Sequence, residues 1–205
     1  MHRCDSCQAS KAKQKAVPNV SNHVPADKPG QRFYLDLSKI SKPAELKTMG
    51  KSNWLMIVNE LSKLKFSIFH QTKKGMIEPT CVLFNNLKTN GYLTKIIRCD
   101  NAEENQSLQK HINGSSWKLN VDFEYAARAT PKQNSLAETS FAAILNKAKT
   151  MMVDTNVLCL QQHKIMQEAV KTATKLIVKR KQDRNILDAK HLSLLITLKH
   201  GVKLE

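Results

Sequence analysis

Apolar residues come in short runs separated by polar breaks, and the period of the runs changes along the chain. RFYLDLS (32–38), WLMIVN (54–59) and KFSIFH (65–70) are aromatic- and aliphatic-rich and too short for helices, so they predict three strands. Only ELSKL separates the second from the third, a length that suits an antiparallel hairpin. The stretch between the first two, with Lys42, Pro43 and Gly50, reads as a loop. From Ile77 to Leu87 the period becomes helical, with Val82, Leu83, Phe84 and Leu87 on one side and Asn90-Gly91 as a stop. LTKIIR predicts a fourth strand ending at Asp100, Glu103 to Ile112 a short helix stopped by Asn113-Gly114, and LNVDFEY a fifth strand. After ARATPKQN a long helix is expected from Ser135 to about Val153, its apolar side formed by Leu136, Ala137, Phe141, Ile144, Leu145 and Ala148. A further helix, increasingly basic, is expected from about Gln161 to Lys181. This order predicts an α/β fold with a mixed sheet, because the opening hairpin is antiparallel while helical crossovers join the later strands.

Three carboxylates break this pattern. Asp36 is set inside an apolar strand between Leu35 and Leu37, Asp100 stands at a strand end in IIRCDNAEEN, and Glu138 lies in the first turn of the long helix. Strand, strand end and helix start can bring three acids together around two divalent cations, the arrangement that phosphoryl transfer uses. Each acid has a structural alternative. Glu138 completes a capping box with Ser135, Asp100-Asn101 forms a turn and helix cap, and Asp36 can sit at the partly exposed end of an edge strand.

Charge narrows the choice of partner. The 33 Lys and Arg against 17 Asp and Glu give a net charge of +16, which favours a polyanion such as double-stranded DNA. No run is long and apolar enough to predict a membrane span or a signal peptide, so no membrane partner and an intracellular location are expected. The five cysteines show no secreted disulfide framework. Cys81, Cys99 and Cys159 read as core residues, and only Cys4 and Cys7 have metal spacing. Lys175, Lys179, Arg180, Lys181 and Arg184 either follow a phosphate backbone or form a solvated helix face.

The order of CxxC, an Asp within a strand, R-x-D-N and T-P-x-Q-N-x-x-x-E resembles the integrase of copia-type retrotransposons, a branch of the retroviral integrase superfamily with a ribonuclease H-like core. The second and third acids lie 38 positions apart, close to the family's spacing, and the likeness covers residues 4 to 155. It implies a ribonuclease H-like five-stranded mixed sheet flanked by helices, and metal-dependent 3′-end processing and strand transfer on DNA. Asp36, Asp100 and Glu138 would be catalytic and would hold two Mg²⁺ or Mn²⁺ ions, with Asn101 shaping the second ligand's turn. Lys132, Gln133 and Asn134 would form a loop near DNA, joined on the basic helix by Lys179, Arg180 and Lys181. Cys4 and Cys7 resemble the end of the family's zinc module, although its two histidines would precede them and only His2 does. The chain carries Ala102 and Ser135 where the family has glycines.

Three regions follow: a zinc-module remnant and linker over 1–30, a catalytic core over 31–155 and a basic helical tail over 156–205. The resemblance implies a piece of a polyprotein, either an integrase fragment or a degenerate copy. If active, the chain is expected to be a nuclear homo-oligomer acting on element ends and target DNA; if degenerate, an inactive nucleic-acid-binding remnant.

Overall fold

The computed structural model describes residues 24–39, 53–126, 134–155 and 159–182, with only the course of the helix given at 159–164 and 178–182. Five strands among them, β1 (Arg32–Lys39), β2 (Asn53–Asn59), β3 (Lys65–His70), β4 (Ile96–Asp100) and β5 (Asp122–Ala126), form one sheet in the order β3-β2-β1-β4-β5. β2 runs antiparallel to β1 and β3, and β4 runs parallel to β1 and β5. This is the ribonuclease H-like arrangement. β1 is the central strand, so the edge-strand explanation for Asp36 does not hold.

Helices α1 (Ile77–Thr89), α2 (Glu103–Ile112), α3 (Ser135–Asp154) and α4 (Cys159–Gln182) cover the sheet. Side chains alternate along a strand, so each strand feeds two layers. Phe33 and Leu35 of β1, Leu55 and Ile57 of β2, and Ile97 and Cys99 of β4 pack with Phe84 and Leu87 of α1 and Leu108 and Ile112 of α2. On the opposite face, Trp54, Met56 and Val58 of β2 and Phe69 of β3 meet Ile144 and Ala148 of α3 and Val170 and Ala173 of α4. Covered on both sides, β2 is buried at every residue. Aromatic pairs fix both layers: Phe33 meets Phe84 edge-on at 5.2 Å, and Trp54 meets Phe141 of α3 edge-on at 4.6 Å.

Two strand starts differ from the periodicity. β4 begins at Ile96, leaving Leu93 exposed. β5 begins at Asp122, because Lys118 and Asn120 take positive φ angles of 47° and 53° and interrupt the extended run, although Leu119 and Val121 stay buried. α4 closes the second core with Met166, Val170 and Ala173, and its Thr174 hydroxyl lies 3.0 Å from that of Ser67 on β3, so residues 159–182 belong to the fold. Cys4 and Cys7, and the tail beyond 182, lie outside the described residues. Among the described residues no helix is long and apolar enough to cross a membrane.

Candidate active site

β1 sets Asp36 among apolar neighbours for a reason visible in the pairing. Its partner across the antiparallel ladder is Met56, a core residue of the α3/α4 side, and directly opposed residues share a face. Asp36 therefore stands on the α3 side while Leu35 and Leu37 supply the other core. One carboxylate oxygen accepts the Leu37 backbone N–H at 2.9 Å. In the parallel pair β1–β4, Tyr34 is matched with Arg98. Two residues further along each strand, at the same end of the sheet and on the same face, come Asp36 and Asp100. The third acid arrives on α3. Asn134, just before the helix, is buried and donates its side-chain amide to the Leu35 carbonyl at 3.0 Å, which pins the first turn over β1. Glu138 projects from that turn into solvent.

Electrostatics joins the three. Burial pushes the Asp36 carboxyl up to about 6, and the negative charges of Asp100 and Glu138 add to the rise against the opposing Leu37 N–H. The described charges acting on Asp36 are thus both negative. Capping does not account for the other two acids. α2 is capped by Ala102 and α3 by Asn134, neither with a side-chain bond, so Asp100 and Glu138 are not spent on closing their helices. The two glycine replacements are also accommodated: Ala102 is extended at φ −82° and Ser135 is the first helical residue.

A charged layer lies one step down the same face. Arg32 pairs with Glu124 at 3.2 Å and reaches Glu60 at 4.0 Å, Arg98 reaches Glu124 at 3.6 Å, and the Tyr34 hydroxyl donates to Glu60 at 3.0 Å. These contacts tie β1, β4 and β5 together beneath Asp36 and Asp100. Two further contacts were not read from the sequence. Asn105, buried in the first turn of α2, donates to the backbone carbonyl and the carboxylate of Asp100. Lys73, after β3, pairs with Glu104 in the same turn. The signal for Asn105 was available, since it shares an i, i+3, i+7 stripe with Leu108 and Ile112 and is the polar member of that apolar face.

The expected DNA-contacting residues divide. Asn134 is an internal tie between α3 and β1, buried and bonded to the Leu35 carbonyl. Lys132 and Gln133 lie outside the described residues, as do the side chains of Lys179, Arg180 and Lys181 near the end of α4. Asn101 is exposed and accepts a hydrogen bond from Gln106 at 2.9 Å. Cys81 and Cys99 are free and buried, and burial pushes both thiols up to about 12, which keeps them protonated and inert.

Solved structures share this architecture. A chain of the simian T-cell lymphotropic virus intasome, determined in complex with PP2A regulatory subunit B56 gamma, superposes with a TM-score of 0.58 at 15% identity. The match covers 84% of this chain and 56% of that one. The chain has a ribonuclease H-like fold. The HTLV-2 integrase catalytic core domain in complex with magnesium also aligns, in its trimeric form at a TM-score of 0.48 and 13% identity over 71% of this chain and 83% of that one. Its dimeric form aligns at 0.44 and 14% over 70% and 86%. No protein-family model and no curated protein sequence matches the chain.

The donor set fits a hard divalent cation. All three side chains offer oxygen, and a half-buried carboxylate facing two others lacks a positive partner among the described charges. Among the described residues, no three His, Cys, Asp or Glu side chains are gathered tightly enough to hold an ion. Asp100 and Glu138 are both exposed; Asp100 is held by Asn105 through one carboxylate oxygen, and Glu138 projects from the first turn of α3 into solvent.

Proposed function

We propose that the chain is a metal-dependent polynucleotidyl transferase of the Asp-Asp-Glu integrase type, from a copia-like retrotransposon, acting on double-stranded DNA. What supports this reading is the placement of Asp36 and Asp100 at one end of the adjacent parallel strands β1 and β4 and of Glu138 in the first turn of α3, whose start is tied to Leu35, with Asp100 and Glu138 as the charges that act on Asp36. Fold likeness to an intasome chain agrees with it. In the proposed reaction water cleaves a phosphodiester near the end of a strand, and the freed 3′-hydroxyl then attacks a phosphodiester of the target, releasing a new 3′-oxygen. A pair of Mg²⁺ or Mn²⁺ ions, when bound, activates the attacking oxygen and neutralises the leaving one. Asp36, fixed on the central strand, is the rigid member of the ligand set. Asp100 and Glu138 flank it from β4 and α3 and face solvent, where a duplex approaches. β1 and β3 run in the same direction, so Lys39, Lys73 and Lys74 lie at this same end of the sheet, Lys73 paired with Glu104.

The decisive assay is strand transfer on a labelled duplex with Mg²⁺ or Mn²⁺, comparing the native chain with Asp100→Asn. Joined products from the native chain alone are expected. DNA binding without products under either metal would instead identify an inactive remnant that keeps the surface and has lost the chemistry.

A further inference from the structure

We infer that Asn105 is a positioning residue for Asp100, a role that rests on the reading of Asp100 as a metal ligand. The side-chain amide of Asn105 donates twice to one residue, to the Asp100 carbonyl at 3.2 Å and to its Oδ1 at 2.5 Å. The contact is built rather than incidental. Asn105 is 5% exposed, on the apolar stripe that carries Leu108 and Ile112 into the core, so its amide is fixed by packing while the carboxylate it holds is exposed. A polar residue at such a position costs stability unless its hydrogen bonds are made, and both bonds go to Asp100.

The double contact has a geometric consequence. β4 ends at Asp100, and the chain must turn before α2 starts at Glu103. Bonding the carbonyl fixes the backbone at the strand end, and bonding Oδ1 fixes the side-chain rotation. Oδ2 is left without a hydrogen-bond partner among the described residues, and so is the oxygen available to an ion. Partners that orient a ligand in this way govern metal affinity, and their loss weakens binding about 10- to 100-fold.

The test is titration of Mn²⁺ alone onto the metal-free full chain by calorimetry, with melting curves recorded on the same samples. Asn105→Ala is expected to weaken Mn²⁺ binding at least about tenfold. Asn113→Ala is the structural control. Asn113 ties the other end of α2 to Val121 through two bonds of 2.8 Å each, so its loss should lower the melting temperature and leave Mn²⁺ affinity unchanged. Should Asn105→Ala not fold, Asn105→Ser, whose short hydroxyl falls short of Oδ1, is measured in its place with the same expectation. Native-like affinity in the folded Asn105 variant, or an equal loss in Asn113→Ala, would overturn the inference while leaving Asp100 a ligand. Absence of Mn²⁺ binding by the native chain would overturn the ligand reading itself, and this inference with it.

Discussion

Asp36 has the surroundings that most constrain what it can do. Its pKa of about 6 lies above the ordinary 3.8, so the folded protein holds the proton more tightly than the unfolded chain. The sign follows: the stabilising contribution is full below about pH 4 and is lost as pH rises through about 6. In metal-free protein, Asp36→Asn should therefore match the native chain near pH 4 and exceed it near pH 7.5. The gain should be about 1 to 2 kcal/mol once solvent screening of the partly exposed site is allowed for. Denaturant midpoints at the two pH values check this, and added Mg²⁺ should narrow the gap. An effect of the same size at both pH values would show that packing, not charge, is what the substitution changes. Asp100→Asn should behave differently. It keeps an oxygen to accept from Asn105, so thermal stability should be unchanged or slightly higher while cleavage is abolished. A large loss of stability would mark Asp100 as a structural residue.

At the scale of elements, α3 carries Glu138 and is held to the sheet at two points, the Asn134 tie to Leu35 and the wedge of Ile144 into the core under β2. Ile144→Ala removes a fully buried side chain and should cost roughly 2 to 5 kcal/mol in chemical unfolding. Asn134→Ala should cost less, about 1 kcal/mol, because it loses one hydrogen bond and also removes a buried Oδ1 with no partner among the described residues. Its activity should fall further than its stability, since the start of α3 loses its fix over β1. Most of these elements were legible in the sequence, because strand and helix periods are strong in RFYLDLS, WLMIVN and the Leu136–Ala148 stripe. Two features were not. Positive φ angles at Lys118 and Asn120 give no hydrophobic signal, so periodicity alone predicts a start of β5 earlier than Asp122. The central position of β1 is a property of strand order, which local periodicity does not encode, and this left the edge-strand reading of Asp36 open. The contacts of Asn105 and Asn134 were hidden for a related reason: an amide's partner is decided by tertiary register.

For the whole molecule, the proposed function and the +16 charge together predict how DNA would be held. Affinity for duplex DNA should be largely independent of sequence and should fall with salt at a logarithmic slope of about 0.9 per phosphate neutralised. Replacing Lys179, Arg180 and Lys181 together by Ala should flatten that slope if the end of α4 follows the backbone. Asp36→Asn should leave the slope intact. Affinity that ignores salt would assign the basic composition to another cause.

The convergence of three acids on one metal-binding site is tested most directly by anomalous diffraction from crystals of the full chain soaked in Mn²⁺. Two peaks about 3.5 to 4 Å apart are expected, with carboxylate oxygens of Asp36, Asp100 and Glu138 around them. A structure in which Mn²⁺ sits elsewhere, or in which Glu138 stays turned away from an ion held by the two aspartates, would contradict it.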